Sequence, residues 1–187
     1  MDFQVERQAF HSSTDEGLVW LCFKPIITTY KTMMRENEKI GRDGVLAKVQ
    51  FYRQLTPGQQ GLFMYCSYHH HAIESQAEFY WWSAYFIAQP MFWTSLKKAA
   101  QYFEEDTMLL LLEEVEKVLT SQYDSQHGLD DDKRMFATIS PLDQMFHQFA
   151  PATLQRIGAR IRHNPSAFVQ IVDEVTTSSA LESLRMF

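Results

Sequence analysis

Apolar side chains recur every three or four residues along most of this chain, which is the spacing of one face of an α-helix. The clearest run predicts a helix from about Glu16 to Lys39, with apolar positions at Val19, Phe23, Ile26, Ile27, Tyr30, Met33 and Met34. Pro25 lies inside this run and is expected either to kink the helix or to mark its true start. A second, shorter helix is predicted around Val45, Leu46, Val49 and Tyr52.

Prolines and capping residues predict where further helices begin. Thr56-Pro57-Gly58-Gln59 combines a threonine cap, a proline at the first helical position and a glutamine three residues after the cap. Similar signals predict separate helices that begin near Pro90, Asp106, Pro141, Pro151 and Pro165. No Gly or Pro decides whether the helix opened by Thr56 continues through Glu74 or breaks near Ser75-Gln76, and we favour a bend there. No Asn-Gly hairpin signal occurs. We therefore predict an all-α fold, a single domain over residues 1–187 that forms a bundle of about seven to nine helices with no substantial sheet.

The stretch from Phe79 to Trp93 is unusually aromatic, and its rings are Phe79, Tyr80, Trp81, Trp82, Tyr85, Phe86, Phe92 and Trp93. One helix face cannot bury so much apolar area, so we expect most of these rings in the core and part of them on a contact surface. Adjacent helical residues point about 100° apart, so one of the two neighbouring indoles is expected at the surface. The predicted partner-binding residues are Trp81, Trp82, Glu78 and Tyr85.

A tract of histidines, His69-His70-His71-Ala72-Ile73-Glu74, precedes the aromatic stretch. On a helix, His71 and Glu74 have the three-residue spacing found in the metal sites of helical bundles. One interpretation is therefore a zinc, manganese or iron site with His70, His71 and Glu74 as ligands, completed from a facing helix by His147 with Asp143, or by Glu113 and Glu114. The other interpretation takes the tract as a solvated helix end, and it predicts no cofactor.

Composition and charge narrow the classes of function. The chain has 187 residues, of which 45% are hydrophobic, and this is typical of one well-packed globular domain. Cys22 and Cys66 are expected to be reduced core residues, and the N-terminus lacks a secretory signal, so we predict a cytoplasmic protein without a membrane span. A formal net charge of −6 disfavours binding to nucleic acid. We expect Arg156, Arg160 and Arg162 to pair with nearby acids such as Asp143, Asp173 or Glu174.

Several features follow one another in an order that is found in a known family. They are the helix opened by Leu55-Thr56-Pro57, the aromatics Phe79, Trp81 and Trp82, an acidic helix from Phe103 to Leu119, then Leu142-Asp143, Phe146, Ile161-Arg162-His163-Asn164-Pro165 and Phe168. From Leu55 to Phe168 the chain resembles a family of small all-helical bacterial proteins of mostly unknown function that includes a dimeric DNA-mimic protein. The resemblance implies an all-helical interaction module, and it transfers no catalytic residue.

These patterns predict a protein-binding module more than an enzyme. The predicted roles are a regulator, a DNA-mimic-like protein or the immunity-type partner of a toxin, which binds another protein or a second copy of itself through an aromatic and acidic surface. The alternative is a metal-binding helical bundle or a metal-dependent hydrolase that uses the segment from His69 to Glu78. No complete catalytic motif occurs in the sequence, so we assign no catalytic residue.

Overall fold

The computed structural model describes residues 1–41, 43–121 and 129–173. Over these ranges the elements, in chain order, are β1 (Gln4–Glu6), α1 (Arg7–Ser12), α2 (Asp15–Lys39), α3 (Gly44–Gln54), α4 (Pro57–Ala72), α5 (Gln76–Ile87), α6 (Pro90–Tyr102), α7 (Asp106–Ser121), α8 (Leu129–His163), a 3-10 helix (Pro165–Ala167) and β2 (Gln170–Val172). The predicted all-α bundle is confirmed. None of the described helices is long and apolar enough to cross a membrane.

Four of the predicted helix starts are found in the structure, and one of them is Asp106, the first residue of α7. The Thr56 side chain accepts a hydrogen bond from the Gln59 amide at 3.2 Å, and the Gln59 side chain accepts one from the Thr56 amide at 3.1 Å, so a complete capping box opens α4. The bend predicted near Ser75 separates α4 from α5, and the Ser75 hydroxyl accepts from the Glu78 amide at 3.2 Å. Pro90 is the first residue of α6.

The prediction of separate helices beginning at Pro141 and Pro151 is wrong, because both prolines lie inside the single 35-residue helix α8. Pro25 likewise lies inside α2, which begins at Asp15, so this proline does not mark the start of the helix. A proline within a helix removes one hydrogen bond and costs about 3 kcal/mol. In α8 a continuous buried stripe outweighs this cost, and its members are Ile139, Leu142, Phe146, Ala150, Leu154, Ile157 and Ile161. Their spacing of three or four residues does not break at either proline.

The helix predicted after Asn164 is also absent from the described residues. Pro165–Ala167 form one 3-10 turn, and Gln170–Val172 then form β2, which pairs in parallel with β1. The Gln170 amide donates to the Phe3 carbonyl at 2.7 Å. Pairing with the N-terminal strand satisfies backbone groups that a helix would have satisfied locally, and it lets Phe168 become fully buried.

The aromatic stretch contributes to the core, as the sequence predicts. Phe79, Phe86 and Trp93 are buried, and they pack with side chains from α2, α4 and α8. The Tyr68 and Ser83 hydroxyls hydrogen-bond to each other at 2.7 Å between α4 and α5. Cys22 and Cys66 are buried free thiols, which agrees with the sequence prediction for both.

Helices α2 and α8 approach each other very closely at Gly158. A Cβ atom at this position would lie 2.7 Å from the Asp15 Cα and closer still to the Asp15 carbonyl group. Because the neighbouring atoms belong to the backbone, they cannot move aside as a flexible side chain does. Glycine is therefore required here for the first turn of α2 to contact α8.

The turn between α6 and α7 places a carboxylate inside the protein. Glu104 adopts a left-handed conformation with φ of 60°, a position that favours glycine at the end of a helix. The Glu104 amide donates to the Gln101 carbonyl at 3.0 Å, and the Glu105 amide donates to the Ala100 carbonyl at 2.9 Å. These two bonds end α6 tightly and direct the next side chain, Glu105, into the core, where it is 2% exposed.

Candidate functional site

A pocket of about 260 Å³ opens among helices α2, α3, α4, α5 and α6. Its lining residues are Ile27, Tyr30, Lys31, Lys48, Tyr52, Phe63, Met64, Ser67, His71, Trp82, Tyr85, Phe86, Met91, Phe92 and Ser95. Seven of them are Phe, Tyr or Trp, and each of the five helices supplies at least one of the seven. The site is therefore an apolar, ring-lined cavity, which is the usual character of a small-molecule pocket.

Helical spacing explains which side chains face the pocket. On α4 the lining residues Phe63, Ser67 and His71 follow one another at four-residue steps. On α3 the pair Lys48 and Tyr52 has the same spacing. Residues four apart lie on one face of a helix, so each helix presents a single stripe to the cavity.

The aromatic walls are held by ring-to-ring contacts. The Tyr30 ring centroid lies 5.2 Å from that of Phe63, which joins the wall from α2 to the wall from α4. The Phe92 centroid lies 5.7 Å from that of Phe86 and 6.4 Å from that of Tyr85, which joins α6 to α5. Tilted and edge-to-face pairs at these distances are the favoured arrangement of aromatic rings.

Trp82 is oriented by two contacts of different kinds. Its indole N–H donates a hydrogen bond to the Glu78 carboxylate at 2.9 Å. Its ring stacks on the His71 imidazole with centroids 3.8 Å apart and planes 11° apart. Burial and the neighbouring His70 lower the pKa of His71, although Glu78 and Glu74 act in the opposite direction. The His71 ring is therefore neutral at pH 7, and with Trp82 it forms a flat double ring at one side of the pocket.

Hydroxyl groups add polarity to the apolar lining. Burial raises the pKa of the Tyr52 hydroxyl, and the nearby Ser95 hydroxyl acts more weakly in the opposite direction. The Ser67 hydroxyl oxygen is buried and has no hydrogen-bond partner among the residues that the structure describes. Buried polar atoms in native proteins are normally paired, so this unpaired hydroxyl is an exception beside the pocket.

The four predicted partner-binding residues do not share one surface. Trp82 and Tyr85 line the pocket, and Glu78 hydrogen-bonds the Trp82 ring from outside the lining. Trp81 points away from the pocket, and 60% of it is exposed. The expected 100° separation of the two indoles is thus observed, with Trp81 on the outer surface and Trp82 on the inner one.

The three predicted metal ligands do not form a three-residue group in the described part of the chain, although the ring centroids of His70 and His71 lie 5.1 Å apart. His70 and Glu74 are exposed, and the His71 ring is occupied by its stacking on Trp82. His147 and Asp143, suggested to complete the site, pair with each other at 3.5 Å along α8. In the ranges that the structure describes, no three His, Cys, Asp or Glu side chains are grouped closely enough to hold a metal ion.

Each arginine of the basic patch pairs with an acid, although not with the acids that the sequence predicts. Arg156 pairs with Glu105, Arg160 with Glu104 at 2.9 Å, and Arg162 with Asp15 at 2.9 Å. Of the acids suggested instead, Asp143 pairs with His147, Asp173 pairs with Arg7, and Glu174 lies outside the described residues. The patch therefore joins α8 to α2 and to the turn between α6 and α7.

Sequence reasoning identified only part of the pocket. The sequence pattern predicts only apolar helix positions for Tyr30 and Tyr52, and it predicts no role for Lys31, Lys48 or Ser67. A usable signal is present on α4, where Phe63, Ser67 and His71 share one helix face at four-residue steps and combine one apolar with two polar side chains. The stripe itself does not reveal which other helices face it.

Comparison with protein-family models, with curated proteins and with solved structures found no match to this chain. The resemblance to the family that includes a DNA-mimic protein therefore stays a prediction. The function proposed below depends on the geometry of the pocket and of the surface around it.

Proposed function

We propose that this protein is a cytoplasmic binding module whose site is the aromatic pocket, and that the pocket takes a small molecule with an apolar body. The observation that carries the proposal is a cavity of about 260 Å³ walled by seven aromatic rings from five helices. The two buried free thiols, Cys22 and Cys66, support a reducing compartment.

Packing energetics support a ligand in this place. Protein interiors are normally filled to the density of organic crystals, and rings that face an open cavity lose contacts on that side. A ligand that covers this apolar surface gains about 25 cal/mol for each Å² removed from water. The walls are already held together by contacts such as Tyr30 with Phe63 and Trp82 with His71, so little ordering is needed on binding.

The proposal keeps the class of function that the sequence predicts, which is binding, and changes the expected ligand from a protein to a small molecule. Binding remains the activity, and two of the predicted binding residues, Trp82 and Tyr85, belong to the pocket. Glu78 acts through the orientation of Trp82. The metal-dependent alternative receives no support from the arrangement of His70, His71 and Glu74.

We expect N-phenyl-1-naphthylamine, a neutral dye that fluoresces in apolar sites, to bind the protein saturably with a stoichiometry of one. Ser67→Phe places a ring inside the cavity and is expected to weaken this binding at least about tenfold, since the ligand and the new ring compete for the same volume. Titration of dye fluorescence measures both affinities.

Ser67→Ala is the matched control, because it removes the hydroxyl at the same position without adding volume, and it is expected to bind the dye as the parent protein does. Tyr85 is a partly exposed residue of the pocket lining, so Tyr85→Ala gives a second variant with little risk to folding. Its affinity for the dye is expected to be weaker than that of the parent protein. Equal dye affinity in the parent protein and in folded Ser67→Phe and Tyr85→Ala would contradict the proposal.

A second candidate function, binding of another protein, is favoured by Trp81. Its indole is 60% exposed on the outer side of α5, and its ring centroid lies 5.1 Å from that of Tyr80. Large exposed aromatic residues are enriched among the residues that dominate protein interfaces. The regulator and immunity-type roles that the sequence predicts, and the homodimer, remain predictions attached to this surface.

Trp81→Ala is expected to remove a partner protein that the parent chain retains in a pull-down from its native cell extract, with a loss of affinity of at least about 2 kcal/mol for a central interface tryptophan. The matched control is Leu110→Ala, since Leu110 is 65% exposed on a different helix, α7. Quantitative mass spectrometry of the retained proteins, including the chain itself, measures the outcome. Identical partners for both variants and the parent would rule out this role of Trp81.

A further inference from the structure

The charge of the pocket is opposite to that of the whole protein. The chain carries a formal net charge of −6. The pocket lining nevertheless contains two lysines, Lys31 and Lys48, and no described carboxylate. An acidic protein that places cationic groups alone around an apolar cavity is arranged to attract an anion there.

Neither lysine is neutralised by a described acidic side chain within 4.0 Å, although seven other basic residues in the described ranges form such pairs. The Lys48 ammonium lies over the Phe92 ring, 5.8 Å from its centroid, so it is held at the aromatic wall. Lys31 follows the wall residue Tyr30 on α2 and acts electrostatically on His71 across the pocket. Two unpaired cations on different helices therefore border one cavity.

The shape and chemistry of the walls favour a flat ring over a long acyl chain. The volume of about 260 Å³ lies just below the usual range of about 300–1,000 Å³ for ligand pockets, which suits one or two fused rings. The stacked His71 and Trp82 rings present a flat face, and Tyr30, Phe63 and Phe92 offer ring edges and faces around it. A planar ligand extends the same pattern of offset and edge-to-face contacts.

We propose that the ligand of this pocket is a small aromatic carboxylate, whose ring lies among the aromatic walls and whose carboxylate is bound by Lys31 and Lys48. This inference rests on the proposed function, because it names the ligand class of the same site. The lysines then supply selectivity for an anion, while the rings supply most of the affinity.

The test compares two ligands of the same shape that differ in charge, 2-naphthoate and 2-naphthamide, as competitors of bound N-phenyl-1-naphthylamine. For the parent protein at low ionic strength we expect naphthoate to displace the dye with about fivefold to tenfold higher affinity than naphthamide. The double variant Lys31→Gln/Lys48→Gln is expected to bring this ratio below about twofold, and because the ratio is taken within one variant, any change in its dye affinity cancels. Raising the salt concentration is expected to reduce the ratio in the parent protein.

Lys24→Gln is the matched control, because Lys24 is an exposed lysine on α2 outside the pocket lining, and its loss is expected to leave the ratio unchanged. Equal affinities of the parent protein for naphthoate and naphthamide would overturn the assignment, and so would a ratio that survives loss of both lysines. These outcomes are distinct from failure of the proposed function, in which the neutral dye itself does not bind or is insensitive to Ser67→Phe.

Discussion

Replacing Arg156 by methionine is expected to lower the free energy of unfolding by about 3 kcal/mol, because it leaves the Glu105 carboxylate buried without its cation. The Arg156 Nε donates to Glu105 Oε1 at 2.6 Å, and its Nη2 donates to Oε2. The Thr153 hydroxyl also donates to Oε2 at 2.8 Å, but it carries no charge. Hydrogen bonding to Glu105 raises the pKa of Arg156.

Urea denaturation followed by circular dichroism measures this loss. The matched control is Arg160→Met, one turn further along α8, whose partner Glu104 is mostly exposed, and here we expect a loss below about 1 kcal/mol. Adding Glu105→Gln to Arg156→Met is expected to restore part of the stability, since no buried charge then remains. Equal losses for Arg156→Met and Arg160→Met would show that the buried pair is not a special source of stability.

A fall in pH from 7 to 5 is expected to destabilise the protein by about 2 kcal/mol through His69 alone. His69 is 6% exposed, and its ring lies against Trp20, Tyr65 and Phe146 with centroids 5.6 to 5.9 Å apart. Burial lowers the pKa of His69 to about 4, with smaller contributions from the nearby His70 and His147. Within the described ranges, the His69 Nδ1 has no hydrogen-bond partner.

The direction of this pH dependence follows from the protonation of His69 in the folded and in the unfolded chain. Below a pH of about 6.5 the unfolded chain takes up a proton on His69, whereas the folded chain does so only near pH 4. The unfolded state therefore binds more protons between these values, and the stability that is present above pH 6.5 is lost as the pH falls toward 4. Each pH unit in this window costs about 1.4 kcal/mol.

Urea denaturation at pH 7 and at pH 5 measures this contribution. The variant His69→Phe keeps a ring in the same space, and its stability is expected to fall by about 2 kcal/mol less than that of the parent protein between the two pH values. His163→Gln, at an exposed histidine at the end of α8, is the control and is expected to behave as the parent protein does. An identical pH dependence in the parent protein and in His69→Phe would contradict the assignment.

Much of the helix pattern could be predicted because its causes are local. The Thr56 capping box, the Ser75 cap and Pro90 each act within three or four residues of their own position. The predicted helix boundaries are wrong where contacts between residues far apart in the chain outweigh a local signal such as proline. Pro141 and Pro151 stay inside α8 because the apolar stripe on both sides of them packs against α2, α5 and α7.

The candidate site was predictable only in part, for the same reason. The aromatic content from Phe79 onward predicted that rings would both fill the core and remain available for binding. Whether Trp81 or Trp82 faces the pocket depends on the rotation of α5 about its own axis. Contacts with α4 and α6, such as His71 with Trp82 and Phe86 with Phe92, set that rotation. Three consecutive histidines likewise have three separate environments, buried at His69, exposed at His70 and stacked at His71.

The sequence by itself determined that this chain is helical, where α4, α5 and α6 begin, and that aromatic rings in the segment from Phe79 to Trp93 would pack in its interior. These properties depend on side-chain spacing and on capping within a few residues. Only the tertiary structure decided that Lys31, Lys48, Ser67 and Trp82 border one cavity, since they come from four helices separated by up to fifty residues of chain. Their meeting depends on how whole helix faces pack against each other, which no local pattern specifies.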